Sequence, residues 1–444
     1  MSDQPDRPRR AALAVLAALR HGGYTQLALA EQLRATRLTG REAAFTTELV
    51  NGTARTLGTL DRIIEAAAGR SLGSLQPGVV DLLRLGSYQW LRMRVPAHAA
   101  VATSVDLAGQ TVGRRVTGVI NAVLRRVTAH TWPGWLDQLA VGLEPADELG
   151  LRNCHPRWIV EALAEVLPSD EVAAALAANN VAPTPTLVVR PGLATRQELL
   201  IDGGQPTPYS PWGVIRPGDP AEVAAVREGR AGVQDEGSQL VTQLLVNASS
   251  QADGPWLDAC AGPGGKAALL TGLAGPAGPV VLAAELRPHR AEMVRRTLLV
   301  YGDHPAVVVA DATQPAWGRG FARVLVDAPC SGLGALRRRP EARWRKQAAD
   351  LTQLAELQVR LLSRAVESTR PGGVVAYVTC SPVAAETVAV VRAVAARHPV
   401  DILDAPAWLP NVPNTQAHTD PRFVQLWPHR HGTDAMFAAL LRIG

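Results

Sequence analysis

Three of the four cysteines in this chain stand directly behind short apolar runs. Cys260 follows "WLDA", Cys330 follows "RVLVDAP" and Cys380 follows "GVVAYVT". A thiolate is the side chain best suited to add to an electron-poor carbon, but a free thiol titrates near ~8.5 and needs activation by its surroundings. Two of these runs also carry acids, Asp258 and Asp327, and two further apolar runs end in Glu285 and Asp311. Open α/β sheets bind ligands at the carboxyl ends of their strands, so all of these side chains are expected at one edge. The cysteines show no CxxC spacing, which argues against a zinc site or a disulfide framework. No metal is expected, and reduced thiols in a cytoplasmic protein are the default.

A glycine loop, "DACAGPGGKAALL", follows the first run. Gly262, Gly264 and Gly265 let a ligand approach the backbone at a helix start. The spacing is neither GxGxxG nor that of a P-loop. Glu285 lies 20 residues after Gly265, where an acid takes ribose hydroxyls, and Asp311 is placed to hold an adenine amino group. The loop alone fits NAD, FAD or S-adenosylmethionine. The cysteines narrow the choice. Cytosine C5 is a weak nucleophile that becomes enamine-like once a thiolate adds to C6, and it can then attack an electrophilic methyl group. Such an enzyme needs a thiolate, an acid near N3 and N4, a methyl donor and a base for the C5 proton. Cys330, Cys380 and Asp327 meet this list.

The elements that must position these groups read as follows. With 444 residues, two or three domains are expected. Hydrophobic content of 47% and charged content of 19% suit a folded chain. A net charge of +5 permits a polyanionic partner without demanding one. Of the 45 basic residues only Lys266 and Lys346 are lysines, a composition bias that makes Lys266 in the glycine loop worth notice. Arg9 and Arg10 before the run Ala11 to Leu19 faintly mimic a leader, but Arg20 and His21 end it, so a core helix is expected. No run is long enough to span a bilayer.

Residues 1–130 read as a helical bundle. In "VTGVINAVLRRV", Ile120, Val123, Leu124 and Val127 form one stripe. Residues 131–150 read as a linker and 151–245 as a small α/β subdomain with a strand at 186–190. From 246 to 444, β-branched runs alternate with helices, implying a parallel sheet covered on both faces; "FVQLW" and "AMFAALLR" suggest a terminal antiparallel pair.

"DACAGPGGK", "DAPCSGLGALRRRPEARW" and "YVTCSP" resemble the glycine loop and two cysteine motifs of RNA cytosine-C5 methyltransferases of the Sun/Nop type. "GTDAMFAALLR" is similar to that family's C-terminal strand pair. "LVNGTARTLGTLDRII", "DLLRLGSYQWLRMRVPAHAAV" and "GVINAVLRRV" resemble a NusB-like RNA-binding domain. That fusion is the layout of bacterial 16S ribosomal RNA cytosine-C5 methyltransferases. The resemblance implies a NusB-like bundle, a small RRM-like α/β subdomain and a Rossmann-like methyltransferase domain. It implies Cys380 as the nucleophile at C6, Cys330 as the thiol that helps release product, and Asp327 at the cytosine N3/N4 edge. It places S-adenosylmethionine on Cys260, Ala261, Gly262, Pro263, Gly264, Gly265 and Lys266, with Glu285, Asp311 and Asp327. Lys266 stands near both cofactor and base. The loop reads C-A-G-P-G-G-K where CAAPGGK is commoner, which removes no donor. In DNA cytosine methyltransferases the cysteine after proline is itself the attacker, which would make Cys330 the nucleophile; the TCS motif favours Cys380.

Six of the ten residues from Arg337 to Lys346 are basic. Arg337, Arg338, Arg339, Arg343 and Arg345 are expected to take RNA phosphates, with Trp344 stacking on a base and Arg125 and Arg126 forming a second strip. The other readings are a tRNA substrate, a non-catalytic NusB-like assembly factor and a DNA methyltransferase. A monomer acting on 16S ribosomal RNA, with no membrane partner, is the expectation.

Overall fold

The structure, a computed structural model, describes residues 6–248, 253–302 and 305–444. The chain divides into two compact units. One comprises Met1–Glu161 with Leu336–Lys346, the other Ala162–Ala335 with Gln347–Gly444.

The first unit is helical. Its helices include Arg7–Arg20, Thr25–Thr36, Gly40–Ala68, Pro77–Met93, Ala97–Thr111 and Thr117–Val127. The first begins where the Asp6 carboxylate accepts the Arg9 N–H at 3.1 Å, an N-cap that satisfies one free donor. Ile120, Val123, Leu124 and Val127 are all buried in the shared core, as their spacing requires.

The stretch expected as a linker, 131–150, is instead mostly helix: Trp132–Ala140 and Pro145–Asn153. Thr131 caps the first by accepting the Gly134 N–H, and Trp132, Trp135 and Leu136 are buried. The Trp135 indole donates to Val127 O at 2.9 Å, tying this helix to the bundle. Two helices of nine residues each are too short for a periodicity to stand out, which hid them.

The segment Leu336–Lys346 completes the bundle. Arg343 is fully buried and donates to Cys154 O at 3.0 Å. The Trp344 indole donates to Ala54 O at 3.0 Å, and its ring lies where a Cβ on Gly58 would stand only 2.3 Å away. The Glu341 carboxylate accepts the Thr25 hydroxyl at 2.7 Å.

In the second unit, strands β1 (Thr186–Val189), β2 (Gln205–Pro206), β3 (Gly213–Ile215) and β4 (Ala231–Val233) form an antiparallel sheet in the order β2-β3-β1-β4. Helices Arg196–Ile201 and Ala224–Arg227 complete a β-α-β-β-α-β unit. The larger sheet holds β5 (Trp256–Asp258), β6 (Val281–Glu285), β7 (Ala306–Val309), β8 (Phe321–Asp327), β9 (Thr369–Thr379), β10 (Val400–Ile402), β11 (Gln416–Ala417), β12 (Asp420–Gln425) and β13 (Phe437–Ile443). Its order is β11-β12-β13-β9-β8-β5-β6-β7, with β10 on β13. Strands β5 to β9 pair in parallel, while β13 returns antiparallel to β9 and β12 antiparallel to β13. Val374 to Val378 are all fully buried, which explains a run with no polar alternation. Strand order reverses at β5, whose neighbours are β6 and β8. That switch point opens a crevice beyond the strand ends.

Candidate active site

The glycine loop leaves β5 at the switch point and enters helix Gly265–Ala274. Gly264 has φ +108°, a conformation that disfavours any side chain. A Cβ on Gly262 would lie 2.2 Å from Glu285 Oε2, so the loop can approach the acid only as glycine. Glu285, at the end of β6, accepts the Gly262 N–H on Oε2 at 3.2 Å and the Arg287 N–H on Oε1 at 2.9 Å. Each oxygen keeps a lone pair for a diol. Asp311, beyond β7, accepts both the N–H and the hydroxyl of Thr313 on Oδ1, at 2.8 and 2.7 Å. A glycine cradle against one acid, with a second acid on the next strand, fits a nucleoside cofactor.

Lys266 donates to Asp327 at 2.7 Å. Burial works against its ammonium, but Asp327 outweighs it, with smaller help from Cys380 and Asp258, and the pKa rises. Lys266 is therefore a fixed positive charge between the loop and the cysteines. Asp258 is fully buried, and its Oδ2 meets no hydrogen-bond donor among the described residues. Burial, then repulsion from Asp327, pushes its pKa up to about 7, against the pull of Lys266. Its carboxyl binds a proton in the folded state at pH values where the unfolded chain has lost it, so this group's contribution falls as pH rises from about 4 to about 7. Asp258→Asn removes that dependence. The Tm of the variant relative to the natural protein is expected to climb between pH 5 and pH 8, by several degrees, in paired thermal melts.

The two remaining thiols meet. Cys330 Sγ and Cys380 Sγ lie 3.4 Å apart, at the ends of the adjacent parallel strands β8 and β9. The hydrogen bond to Cys380 and burial push the Cys330 thiol well above its usual value, aided by Glu386 and Asp327. Cys330 thus stays protonated and can donate to a thiolate on Cys380. Cys260 is also raised, chiefly by burial and then by Asp258, and its backbone N–H donates to Asp258 Oδ1 at 3.4 Å.

A profile of the 16S rRNA methyltransferase RsmB/F family matches residues 244–442, and one of the NusB family matches residues 6–129. The ribosomal RNA small subunit methyltransferase B of Pseudomonas putida is 34% identical over 88% of this chain and 89% of its own length. The chain belongs to the RsmB/F family. A Mycobacterium tuberculosis (strain H37Rv) protein carrying a methyltransferase name, Rv1407, is 48% identical over 98% of this chain and 96% of its own. The crystal structure of PH0851 shares the fold, with a TM-score of 0.82 at 21% identity over 99% of each chain. As a member of the RsmB/F family, the protein is an S-adenosylmethionine-dependent RNA methyltransferase.

The structure brings together the glycine loop, Lys266, Glu285, Asp311, Asp327, Cys330 and Cys380 in the second unit. It corrects much of the basic strip. Arg343 is fully buried and Arg337 nearly so, hence neither can reach a phosphate. Burial lowers the Arg343 guanidinium to about 9. Trp344 is spent on the bundle core, and Arg345 donates to Gly22 O and Gly23 O at 2.9 Å each. Arg338 is half-buried; Arg339, Arg125 and Arg126 are exposed.

One polar residue escaped the sequence reading of the site, and another was placed at the edge without a role. Asp258 stood among four acids at strand ends, and only burial distinguishes it. Glu386 lies six residues past Cys380 in an alanine-rich stretch and carries no motif signal. Among the described residues no His/Cys/Asp/Glu cluster suits a metal ion, and no helix is long and apolar enough to cross a membrane.

Proposed function

We propose that this enzyme forms 5-methylcytosine in 16S ribosomal RNA, with Cys380 as the covalent nucleophile and Cys330 as the releasing thiol. The observation that carries this reading is the 3.4 Å approach of two thiols beside the Lys266–Asp327 pair. S-adenosylmethionine, when bound, supplies the methyl group. Lys266 lies where its ammonium and a Cys380 thiolate favour one another. The thiolate adds to cytosine C6 while the Asp327 carboxylate accepts from the N4 amino group and the Lys266 ammonium beside it offsets the charge that collects on N3 and C5. After methyl transfer the C5 proton leaves to a base, the C6–S bond breaks, and Cys380 departs as thiolate. The protonated Cys330 hydrogen-bonds that departing sulfur and makes it the better leaving group.

Glu285 is the ribose acid and Asp311 the adenine acid in this reading, with the loop from Cys260 to Lys266 around the amino-acid end. The target base must leave any stack to reach the crevice. The relatives named for ribosomal RNA small subunit methylation support the choice of 16S RNA. Nucleoside mass spectrometry of 16S transcript and of bulk tRNA, each incubated with enzyme and labelled S-adenosylmethionine, tests it. Label in 5-methylcytidine from 16S RNA is the expected result. Label confined to tRNA, or found in another nucleoside, refutes the assignment.

Arg125 and Arg126 close the helix Thr117–Val127 with exposed guanidinium groups, and Arg126 is steadied by Ala67 O at 3.1 Å. As phosphate contacts they act without regard to sequence. Replacing each by alanine is expected to weaken RNA binding and to lower the slope of log K against log salt by about 1 per residue. Filter binding between 50 and 200 mM salt reads both.

A further inference from the structure

We infer that Glu386 is the positioning residue that holds Cys330 and Cys380 against one another, a role that rests on the cysteine chemistry proposed above. Each cysteine is followed by a serine, Ser331 and Ser381, and both serines bind this one carboxylate. Oε1 accepts the Ser331 N–H at 2.7 Å and the Gln358 side-chain N–H at 3.1 Å. Oε2 accepts the Ser331 hydroxyl at 2.5 Å and the Ser381 hydroxyl at 2.6 Å. Four donors fill the capacity of a carboxylate. Glu386, Ser381 and Gln358 are fully buried.

The carboxylate is anchored from behind. The Tyr377 hydroxyl donates to Glu386 O at 2.7 Å, so strand β9 fixes the backbone of the acid that fixes the turn after β9. Gln358 also donates to Pro329 O at 2.8 Å, pinning the residue before Cys330. A buried carboxylate with this many charge-assisted bonds is an expensive way to build a turn, since apolar packing would serve. Its geometric effect is specific: one rigid group sets the backbone on the C-terminal side of both thiols. Near-attack chemistry needs that precision, because a 1 Å displacement of a reacting group lowers a rate about 10²-fold. The Glu386 carboxylate bonds go to Ser331, Ser381 and Gln358, so it acts through the turns that carry the cysteines.

The test is Glu386→Gln in the full chain, with Ser381→Ala as the second variant. Glutamine keeps the size but turns two acceptor sites into donors facing donors. The first readout needs no RNA and no cofactor. Diamide oxidises two adjacent thiols to a disulfide, taking up their two protons and two electrons. Peptide mass spectrometry follows the Cys330–Cys380 bond against time. The second readout is steady-state methyl transfer to 16S transcript, split into kcat and the KM for S-adenosylmethionine.

For Glu386→Gln, the cross-linking rate is expected to fall at least about tenfold and kcat about 10²-fold, with the cofactor KM within about twofold. Ser381→Ala, which removes one of the four donors to the carboxylate and the 3.2 Å contact with the Ser331 hydroxyl, is expected to fall about tenfold in kcat. If Glu386→Gln lacks a cooperative melt, Ser381→Ala decides. Cross-linking and kcat at natural values in a folded variant overturn the inference. A variant that loses cross-linking, in a protein whose Cys380→Ala form still methylates, overturns the cysteine roles and leaves the positioning intact. The converse, unchanged cross-linking with an inactive Cys380→Ala protein, overturns the positioning alone.

Discussion

Cys330→Ala is expected to accumulate a denaturation-resistant adduct with substrate RNA, whereas Cys380→Ala forms none and loses methyl transfer by 10³-fold or more, above about 4 kcal/mol in transition-state stabilisation. The asymmetry follows from the two environments. Cys380 stands where the Lys266 ammonium favours an anion. Cys330 is half-buried, hydrogen-bonded to Cys380 and beside Asp327 and Glu386, all of which hold its proton on. A group that keeps its proton is a poor attacker and a good partner for a sulfur that must leave. Removing Cys330 leaves the addition step intact and slows release, so covalent complex collects. Removing Cys380 removes the attack. The check is denaturing electrophoresis of each variant with labelled 16S transcript and S-adenosylmethionine. An adduct only with Cys380→Ala reverses the roles and makes Cys330 the attacker. No adduct with either variant refutes covalent catalysis on this RNA.

The site was legible in the sequence to the extent that it is built at strand ends. Fully buried parallel strands leave continuous runs such as Val374 to Val378, and the residue after each run falls at the sheet edge whatever the details of packing. Hence the sheet edge could be read as the place of Asp327, Cys330, Cys380 and Glu285, and these residues do lie at or just beyond strand ends. Glycines forced by close approach, Gly262 and Gly264, were legible for the same local reason. Groups whose role depends on a partner far along the chain were not. Glu386 gains its meaning from Ser331, 55 residues away, and no local pattern encodes that. The short helices between 131 and 153 lacked length, not signal. The basic strip failed differently: counting charge in "RRRPEARWRK" predicts a solvated surface, but Arg343 is buried against the Cys154 carbonyl and Arg337 is nearly as buried. Composition cannot separate an arginine that meets a phosphate from one that meets a carbonyl.

The basic strip therefore yields a stability prediction where an RNA-binding one had been expected. Trp344→Ala is expected to destabilise the helical unit by about 2–4 kcal/mol, through the void left by a large ring and the indole donor lost from Ala54 O and Arg55 O. The sign of a second substitution makes the argument specific. Gly58 sits inside the helix Gly40–Ala68, where alanine would ordinarily be favoured by about 1 kcal/mol. In the natural protein a Cβ there meets the Trp344 ring at 2.3 Å, so Gly58→Ala is expected to destabilise. In the Trp344→Ala background the obstruction is gone and the same Gly58→Ala change is expected to stabilise. Such a reversal is coupling between two residues in contact, measurable by a double-mutant cycle in urea. If Trp344 were instead a stacking platform for an RNA base, its removal would weaken RNA binding by about 1–3 kcal/mol and leave the unfolding midpoint unmoved. Gly58→Ala would then stabilise in both backgrounds, and the ring would belong to the substrate rather than to the core.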